Sequence, residues 1–576
     1  MKKIFSALFV GMALTSLVSS CSDSSFDDKY ADPSKTSKVG VPQTFTAVMF
    51  NAHTWMDMTY YRYYCQSTTS GLFGGIAGDN NNKGRFQGAG ESRFNDRWKQ
   101  FYGVLTQHRV LQAAYDNLSE EEKPINEVFV YLSRTIVYAQ LHEMLSLFGD
   151  VPFTGAGTLP QTGDYEDAKS KAVYDDDVAL YKQILSGLKE TADYLATGNI
   201  NAAALTSLKS QDYTIASGDI SMWRKYVNSL RLRIALHLAT NGECAAEAKA
   251  TIKEILENTS TYPTIDSNSE NMGVTADTQK DDFNFGKGFS QAMHSASGQY
   301  GTVSQAVLRA LNLPANGIPD ATTDPRLQVM CDCNPDGEYI AYDVTKSNSD
   351  ISNLASEKNT EYANRQLTGS NYYCVVDSQA IVGRGEYQGN ENLPSIWINA
   401  AEVSLSKAEA YLMGYGVAAD AAKAKDYFVK GVKESNEFYW NLKKKSSLYV
   451  AGNDSYKAFR PLVEPDADDV DAYIASIWAA DQKTICTQLW LNFFVMNELE
   501  AWNVVRRTGY PELTFAKDDI IAAYPTPPGR LPYPSDELTY NAANCQAAIS
   551  TNYKESTGYY STLFWAKEKY YKMLGE

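Results

Sequence analysis

The chain has 576 residues, with 69 acidic and 52 basic side chains and a net charge of −17 at pH 7. This excess of negative charge excludes nucleic acid as the expected partner, because phosphate backbones are bound by basic surfaces. The length suffices to bury a large hydrophobic core in one large domain or a few smaller ones. Aromatic residues make up 12% of the chain, and such rings either fill helix interfaces or stack on sugars.

The N-terminus has the features of an export signal. Lys2 and Lys3 precede an apolar run over residues 4–18, which is too short to cross a membrane as a helix. The residues Leu-Val-Ser-Ser before Cys21 resemble a lipobox, so we predict a lipoprotein signal peptide over residues 1–20 and lipidation of Cys21. A chance cysteine after an ordinary signal peptide is the alternative. Residues 21–42 are predicted to be a flexible acidic tether, followed by a single domain over residues 43–576.

The cysteines do not have the pattern of a disulfide framework. Seven of the eight are left if Cys21 is lipidated, and they are widely spaced. Cys331 and Cys333 are too close for an easy bridge and lack a second pair for zinc. We therefore expect buried thiols, no metal and no cofactor.

The first part of the folded domain alternates helices with one long loop. Apolar spacing predicts a helix over residues 44–64, and residues 70–90 are too rich in glycine and asparagine to continue it. Further helices are predicted over residues 93–117, over 119–148 behind a capping box, and from Asp219 onward. A long loop in a compact domain is a candidate functional segment, so residues 70–90 are of interest.

Residues 255–393 change in character. Serine, asparagine, aspartate and glycine increase, prolines recur and apolar periodicity fades. Phe283, Phe285 and Tyr300 lie among these residues, where exposed rings could stack on sugars while amides satisfy hydroxyl groups. The alternative is that these rings pin the loop to the core.

Helices return from Pro394 onward. Residues 394–436 are predicted to form a helical hairpin close to the size of a tetratricopeptide repeat. The stretch from Gln482 to Pro511 is apolar over most of its circumference and predicts a buried helix. Its end is marked by Arg506 and Arg507, by Gly509 and by Pro511.

No local catalytic motif is present. The chain has no G-x-S-x-G, no HExxH and no phosphate-binding or dinucleotide-binding fingerprint, and its five histidines are scattered. We therefore expect no catalytic residues and no enzymatic activity. A surface hydrolase using two carboxylates stays an alternative, since such a pair leaves no local signature.

Three segments resemble the SusD/RagB family of nutrient-binding lipoproteins. They are the stretch from Trp223 to Leu236, the helix reading A-E-V-S-L-S-K-A-E-A and the signature E-L-E-A-W-N-V-V-R-R-T-G-Y-P from Glu498 to Pro511. The resemblance implies an α-helical fold with tetratricopeptide-like helix pairs and a loop-rich half that faces the ligand.

The resemblance also implies a function. Family members are lipid-anchored at the outer membrane and face the cell exterior. They bind nutrient oligosaccharides and deliver them to a SusC-like TonB-dependent transporter. Peptide capture, as in RagB-like members, is the main alternative, and a protein-binding helical scaffold is another.

Ligand contacts do not transfer by motif, because members of the family differ in the loops at 65–90 and 280–305. Candidate ligand-binding residues are therefore chosen as rings and one cation expected to be exposed in these loops. They are Phe73, Arg85, Phe86, Phe283, Phe285 and Tyr300.

Overall fold

The computed structural model describes residues 40–78, 91–240, 242–298, 301–343, 345–367, 371–383, 385, 387–449, 460–516 and 526–576. The predicted signal peptide, Cys21 and most of the tether lie outside these residues, as do Arg85, Phe86 and Tyr300. Among the described residues, 41–576 fall into one compact unit.

Helices dominate the described chain, as the sequence predicted. In the first half they are α1 (Val41–Met56), α2 (Tyr60–Thr68), α3 (Ser70–Phe73), α4 (Glu91–Asp116), α5 (Lys123–Phe148), α6 (Leu159–Thr162), α7 (Tyr165–Lys171), α8 (Asp177–Ala196), α9 (Ala202–Gln211), α10 (Ile220–Ala239) and α11 (Ala245–Glu257). In the second half they are α12 (Phe285–Gly298), α13 (Gln305–Ala310), α14 (Leu327–Met330), α15 (Asn348–Asn364), α16 (Ala400–Met413), α17 (Ala421–Lys445), α18 (Ala467–Ile477), α19 (Gln482–Phe493), α20 (Glu498–Thr508), α21 (Ser535–Tyr540) and α22 (Ala542–Asn552).

Polar caps fix where several of these helices begin and end. Asp219 accepts a hydrogen bond from the backbone N–H of Ser221 at 2.7 Å, as expected for the start of α10. Asn399 caps α16 in the same way, accepting from the N–H of Glu402 at 2.8 Å. Gly414 and Gly509 end α16 and α20 in the left-handed conformation, at φ of 67° and 79°.

Two long helices predicted from apolar spacing are each broken in two. Residues 44–64 divide into α1 and α2 because Thr59 starts a new helix, its hydroxyl accepting from the N–H of Arg62 at 3.3 Å. Residues 482–511 divide into α19 and α20 around a short 3-10 turn at 494–496. Asn497 caps the second helix by accepting from Glu500. Both breaks occur within buried apolar stretches, where a hydrophobic pattern alone does not reveal an interruption.

Consecutive helices pack as antiparallel hairpins around a large core. The pairs α4–α5, α10–α11 and α16–α17 are in direct contact, and α16 also packs on α19. The largest fully buried rings belong to Trp223, Trp490, Trp502 and Trp565. No helix among the described residues is both long and apolar enough to span a membrane.

The strands are short and hold the loops onto this helical scaffold. They are β1 (Ala77–Gly78), β2 (Val151–Pro152), β3 (Tyr174–Asp175), β4 (Met272–Val274), β5 (Thr302–Val303), β6 (Cys331–Asp332), β7 (Val375–Val376), β8 (Ser395–Ile398), β9 (Leu513–Phe515) and β10 (Tyr571–Met573). A four-stranded sheet has the order β1-β5-β7-β6, while β2 pairs with β3, β4 with β8 and β9 with β10.

Candidate functional site

The two segments chosen from the sequence start from one strand pair. In the antiparallel pair β1–β5, Ala77 is opposite Val303 and Gly78 is opposite Thr302. The chain therefore leaves β1 and enters β5 at the same end of the pair. This pairing brings the middle of the segment 65–90 next to the end of the segment 280–305, although the paired residues are more than 200 positions apart in sequence.

The exposure expected of Phe73 and Phe285 is wrong. Phe73 is completely buried and packs against Trp502, with 5.4 Å between ring centroids. Phe285 is 1% exposed, because it begins α12, whose apolar side packs on α2. Both rings fill the core, as the alternative interpretation held for Phe285. Phe283 differs, being half-buried and so reachable at the surface.

Phe283 belongs to a row of rings, here called the aromatic ridge, formed by Phe50, His53, Phe283 and Tyr213. Phe50 is 49% exposed and stacks on His53, with 5.9 Å between centroids and 10° between ring planes. His53 lies 5.1 Å from Phe283, which in turn lies 5.3 Å from Tyr213. The ridge thus presents the apolar ring of Phe50 to solvent, and the ring of His53 supports it from below.

The base of the ridge is fixed by Asp57, which is fully buried. Its carboxylate lies 2.7 Å from Nδ1 of His53 and accepts from the indole of Trp397 at 2.7 Å and the hydroxyl of Ser395 at 2.8 Å. Three partners on one carboxylate leave His53 little freedom. Its bond to this buried carboxylate orients the His53 ring beneath Phe50.

A cleft lined by amides lies beside the ridge. This cavity, here called the amide cleft, has a volume of about 500 Å³. Its polar wall carries Asn268, Asn271, Asn392 and Asn441. Ile215 and Ala276 also line it. They lie close in sequence to ridge residues, and the N–H of Asp277 donates to the carbonyl of Phe283 at 3.0 Å. The ridge and the cleft are therefore joined through the two loops that carry Tyr213 and Phe283.

The two surfaces together suit a neutral ligand rich in hydroxyl groups. Aromatic faces bind the apolar faces of sugar rings, and amide groups both donate to and accept from hydroxyls. The amide nitrogens of Asn268 and Asn392 already donate to backbone carbonyls at 2.9 and 2.6 Å, so these two side chains offer their oxygens to a ligand. Phe438 and Leu442 add apolar contact inside the cleft. Lys445 is the one charged residue among those lining it. The arrangement offers binding chemistry.

Strongly perturbed acids lie in the interior. Although burial alone would raise it, the pKa of Glu500 is held well below its usual value by a hydrogen bond from His142 at 3.1 Å and by Arg233. Burial raises the pKa of Glu498 well above its usual value, and neither carboxylate oxygen has a hydrogen-bond partner among the described residues. Both are at most 5% exposed, so they face the core.

One group of carboxylates could in principle hold a cation. Oxygens of Asp150, Asp176 and Asp177 lie within 4.8 Å of one another. Burial and the neighbouring Asp150 raise the pKa of Asp177 to about 7. Asp150 already accepts from the N–H of Asp177 and from the amide of Asn552, and Asp176 caps α8. These oxygens therefore serve the fold, and we assign no metal to them.

Sequence reasoning missed Phe50, His53 and the asparagines of the cleft. Phe50 lies in a predicted helix, and its position outside the apolar stripe of that helix could have indicated that the ring is exposed. The asparagines are spread over 174 positions from Asn268 to Asn441. Only the tertiary fold brings them together.

Comparisons with known proteins place the chain in a family. The sequence profile described as SusD-like, starch-binding and associating with the outer membrane, matches residues 41–534. The chain belongs to the SusD-like family. Curated proteins give no match.

The fold of this SusD-like protein is similar to several solved structures. One is a chitin-binding protein, with a TM-score of 0.66 at 20% identity, covering 91% of this chain and 98% of the other. A SusD homologue from Bacteroides uniformis ATCC 8492 gives 0.61 at 20% identity, covering 91% and 99%. One from Bacteroides fragilis NCTC 9343 gives 0.65 at 16% identity, covering 92% and 100%. The predicted SusD-like helical fold is confirmed.

Proposed function

We propose that this SusD-like protein captures neutral oligosaccharides at the aromatic ridge and the amide cleft. The observation that carries the proposal is the exposed ring of Phe50, joined through His53 to Phe283, together with an asparagine-lined cleft of about 500 Å³ reached through the loop that carries Phe283. Stacking on sugar rings and hydrogen bonding to hydroxyls need these two surfaces side by side. The family description and the chitin-binding relative support the same ligand class.

Delivery to an importer forms the second part of the proposal. The protein would be anchored through Cys21 at the outer membrane, facing the cell exterior, and would pass its ligand to a SusC-like TonB-dependent transporter. The association of the family with the outer membrane supports this location. Arg85, Phe86 and Tyr300 stay predictions as additional ligand contacts.

The ligand proposal is tested by removing the two accessible rings. We expect Phe50→Ala and Phe283→Ala each to weaken binding of maltoheptaose or chitohexaose about fivefold, since a stacking ring contributes about 1 kcal/mol. Isothermal titration calorimetry measures the change. Tyr540→Ala is the matched control, because Tyr540 is 63% exposed but lies on α21.

Three results would overturn this ligand assignment. Neither sugar binds the wild-type protein, a capped tripeptide binds in their place, or both ring variants bind like wild type. The transporter part has its own test, extraction of the lipidated protein from its native outer membrane in mild detergent. We expect a large barrel protein in equal amount, and recovery of this protein alone would contradict that part.

A further inference from the structure

The groups that line the amide cleft are spread along α17 rather than gathered at one point. Four residues of this helix line the cleft, namely Phe438, Asn441, Leu442 and Lys445. Their spacing places them on one face of the helix, over its last two turns. This face forms one long wall of the cleft.

Two asparagines of the opposite wall mark the ends of the cleft, because each is bonded to the same helix. The side-chain amide of Asn268 donates to the carbonyl of Glu434 at 2.9 Å, and that of Asn392 donates to the carbonyl of Lys445 at 2.6 Å. Glu434 and Lys445 are eleven positions apart in α17, which is a rise of about 16 Å at 1.5 Å per residue. One helical turn, about 5.4 Å, is close to the length of one pyranose unit in a linear chain. The cleft therefore has the length of about three sugar units.

Groups that can bind a ligand are accessible along this whole length. Asn392 and Lys445 are exposed, while Asn268 and Asn441 are half-buried. Asn268 and Asn392 offer acceptor oxygens, as described above. Asn441 and Lys445 lie one helical turn apart, and neither side chain has a hydrogen bond or an ion pair to a described residue. Donors and acceptors thus follow one another along the cleft, as the hydroxyl groups of a sugar chain do along that chain.

The aromatic ridge adjoins the cleft at the end marked by Asn392. In the antiparallel pair β4–β8, Val274 is opposite Ser395, so the chain that leaves β4 runs toward Asn392. This chain reaches Asp277, whose N–H donates to the carbonyl of Phe283 in the ridge at 3.0 Å. The ridge is therefore next to the last turn of α17, and the Asn268 end of the cleft is the one far from it.

We propose that the ridge and the cleft hold one continuous linear oligosaccharide of at least four units, which starts on Phe50 and lies along α17 toward Asn268. One unit on the ridge and about three in the cleft give this length. The proposal rests on the proposed function and adds the class of ligand, long linear chains rather than mono- or disaccharides. A disaccharide held at the ridge would not extend to Asn441.

The test compares short and long ligands of the same sugar. Ligand-observed NMR titration measures the affinities of maltose and maltoheptaose, and of chitobiose and chitohexaose. In the series that the wild-type protein binds, we expect the long chain to bind at least about tenfold more tightly than the disaccharide, because it makes further hydrogen bonds in the cleft.

The dependence of a mutational effect on ligand length locates the units of the chain. Asn441→Ala is expected to weaken binding of the long chain about fivefold, the factor for about one lost hydrogen bond, and that of the disaccharide less than about twofold. Phe50→Ala is expected to weaken both ligands about fivefold, since both have a unit on the ridge.

Two adjacent lysines provide a matched control. Lys445 lines the cleft, whereas Lys444 pairs with Glu464 and is not among the residues that line it. Lys445→Ala should weaken binding of the long chain about fivefold, and Lys444→Ala should leave it unchanged. Thermal melting reports that each variant is folded.

Three outcomes would overturn this proposal and leave the proposed function standing. In the first, the disaccharide binds as tightly as the long chain, so the site holds two units at most. In the second, Asn441→Ala weakens both lengths equally, which places the disaccharide in the cleft. In the third, Asn441→Ala binds the long chain like wild type, so the chain does not follow α17. A protein that binds neither sugar at either length contradicts the proposed function itself, and this proposal with it.

Discussion

The polar groups of two regions differ in charge. The interior around α16 and α20 holds charged pairs, whereas the outer surface around the ridge presents neutral groups. In the interior, Arg507 donates to both carboxylate oxygens of Glu409 at 2.6 Å, with both side chains at most 3% exposed. Arg233 pairs with Glu402 in the same manner. At the outer surface, the ridge and the cleft present rings and amides.

The difference indicates that the two regions have different roles, one in stability and the other in binding. Buried charge pairs are expensive to assemble and very expensive to break, so they fix the geometry of the scaffold. Neutral amides and rings cost less to take out of water than charges do, and amides can exchange bound water for the hydroxyl groups of a ligand. Substitutions in the interior should therefore change the free energy of unfolding, whereas those at the ridge should change affinity.

The largest effect is expected at the interior pair. Glu409→Ala leaves Arg507 charged and without its carboxylate, which should cost about 3–5 kcal/mol of unfolding free energy. Denaturant unfolding followed by circular dichroism measures it. The control is Glu257→Ala, which removes a surface pair with Lys253 whose partners are 50% and 57% exposed, and it should cost less than about 1 kcal/mol. If the two variants lower the free energy of unfolding equally, the buried pair does not stabilise the scaffold more than a surface pair does.

A pH-dependent effect is expected at Glu498, a buried carboxyl without a partner. Burial raises its pKa in the folded state well above the unfolded value. The folded chain therefore holds a proton that the unfolded chain releases. The stability from this group is complete below the unfolded pKa and is lost as pH rises toward the folded pKa, at about 1.4 kcal/mol per pH unit.

Glu498→Gln removes this dependence, because the amide has nearly the same shape and does not titrate. We expect the variant to gain stability relative to wild type as the pH rises above the unfolded pKa, by about 1.4 kcal/mol for each pH unit until the folded pKa is reached. Urea unfolding at several pH values measures it. Parallel curves for the two proteins would show that Glu498 is ionised in the folded state.

The helices were predictable because their signals are local. Asp219 and Asn399 cap α10 and α16, and Gly509 ends α20, each within one helical turn of the residues it affects. The same local reasoning missed the breaks at Thr59 and Asn497, since each lies in a stretch whose burial depends on distant parts of the chain. The family motifs supplied the overall fold.

The site was less predictable because exposure is a tertiary property. Phe73 and Phe285 stand among glycines and asparagines, as Phe283 does, yet only Phe283 reaches the surface. What decides is the partner: Trp502 covers Phe73, whereas Phe283 rests on His53 and Tyr213 at the edge. No sequence pattern specifies which ring a distant helix will cover.

The smallest effect is expected at His53, where the two regions meet. His53 joins the buried carboxylate of Asp57 to the exposed ring of Phe50. His53→Gln keeps a hydrogen-bond donor for Asp57 but removes the ring beneath Phe50. Affinity for maltoheptaose or chitohexaose should fall about twofold. In the variant, Phe50 must give up rotational freedom when the ligand binds, whereas in the wild type the imidazole has already restricted the ring.

A double-mutant cycle isolates this supporting role. In the Phe50→Ala background, His53→Gln should have a smaller effect on affinity, because only Phe283 is then left resting on the imidazole. Calorimetry on the four proteins gives the coupling between the two residues. If His53→Gln weakens binding equally in both backgrounds, His53 does not act through Phe50, and the supporting role proposed for it is wrong.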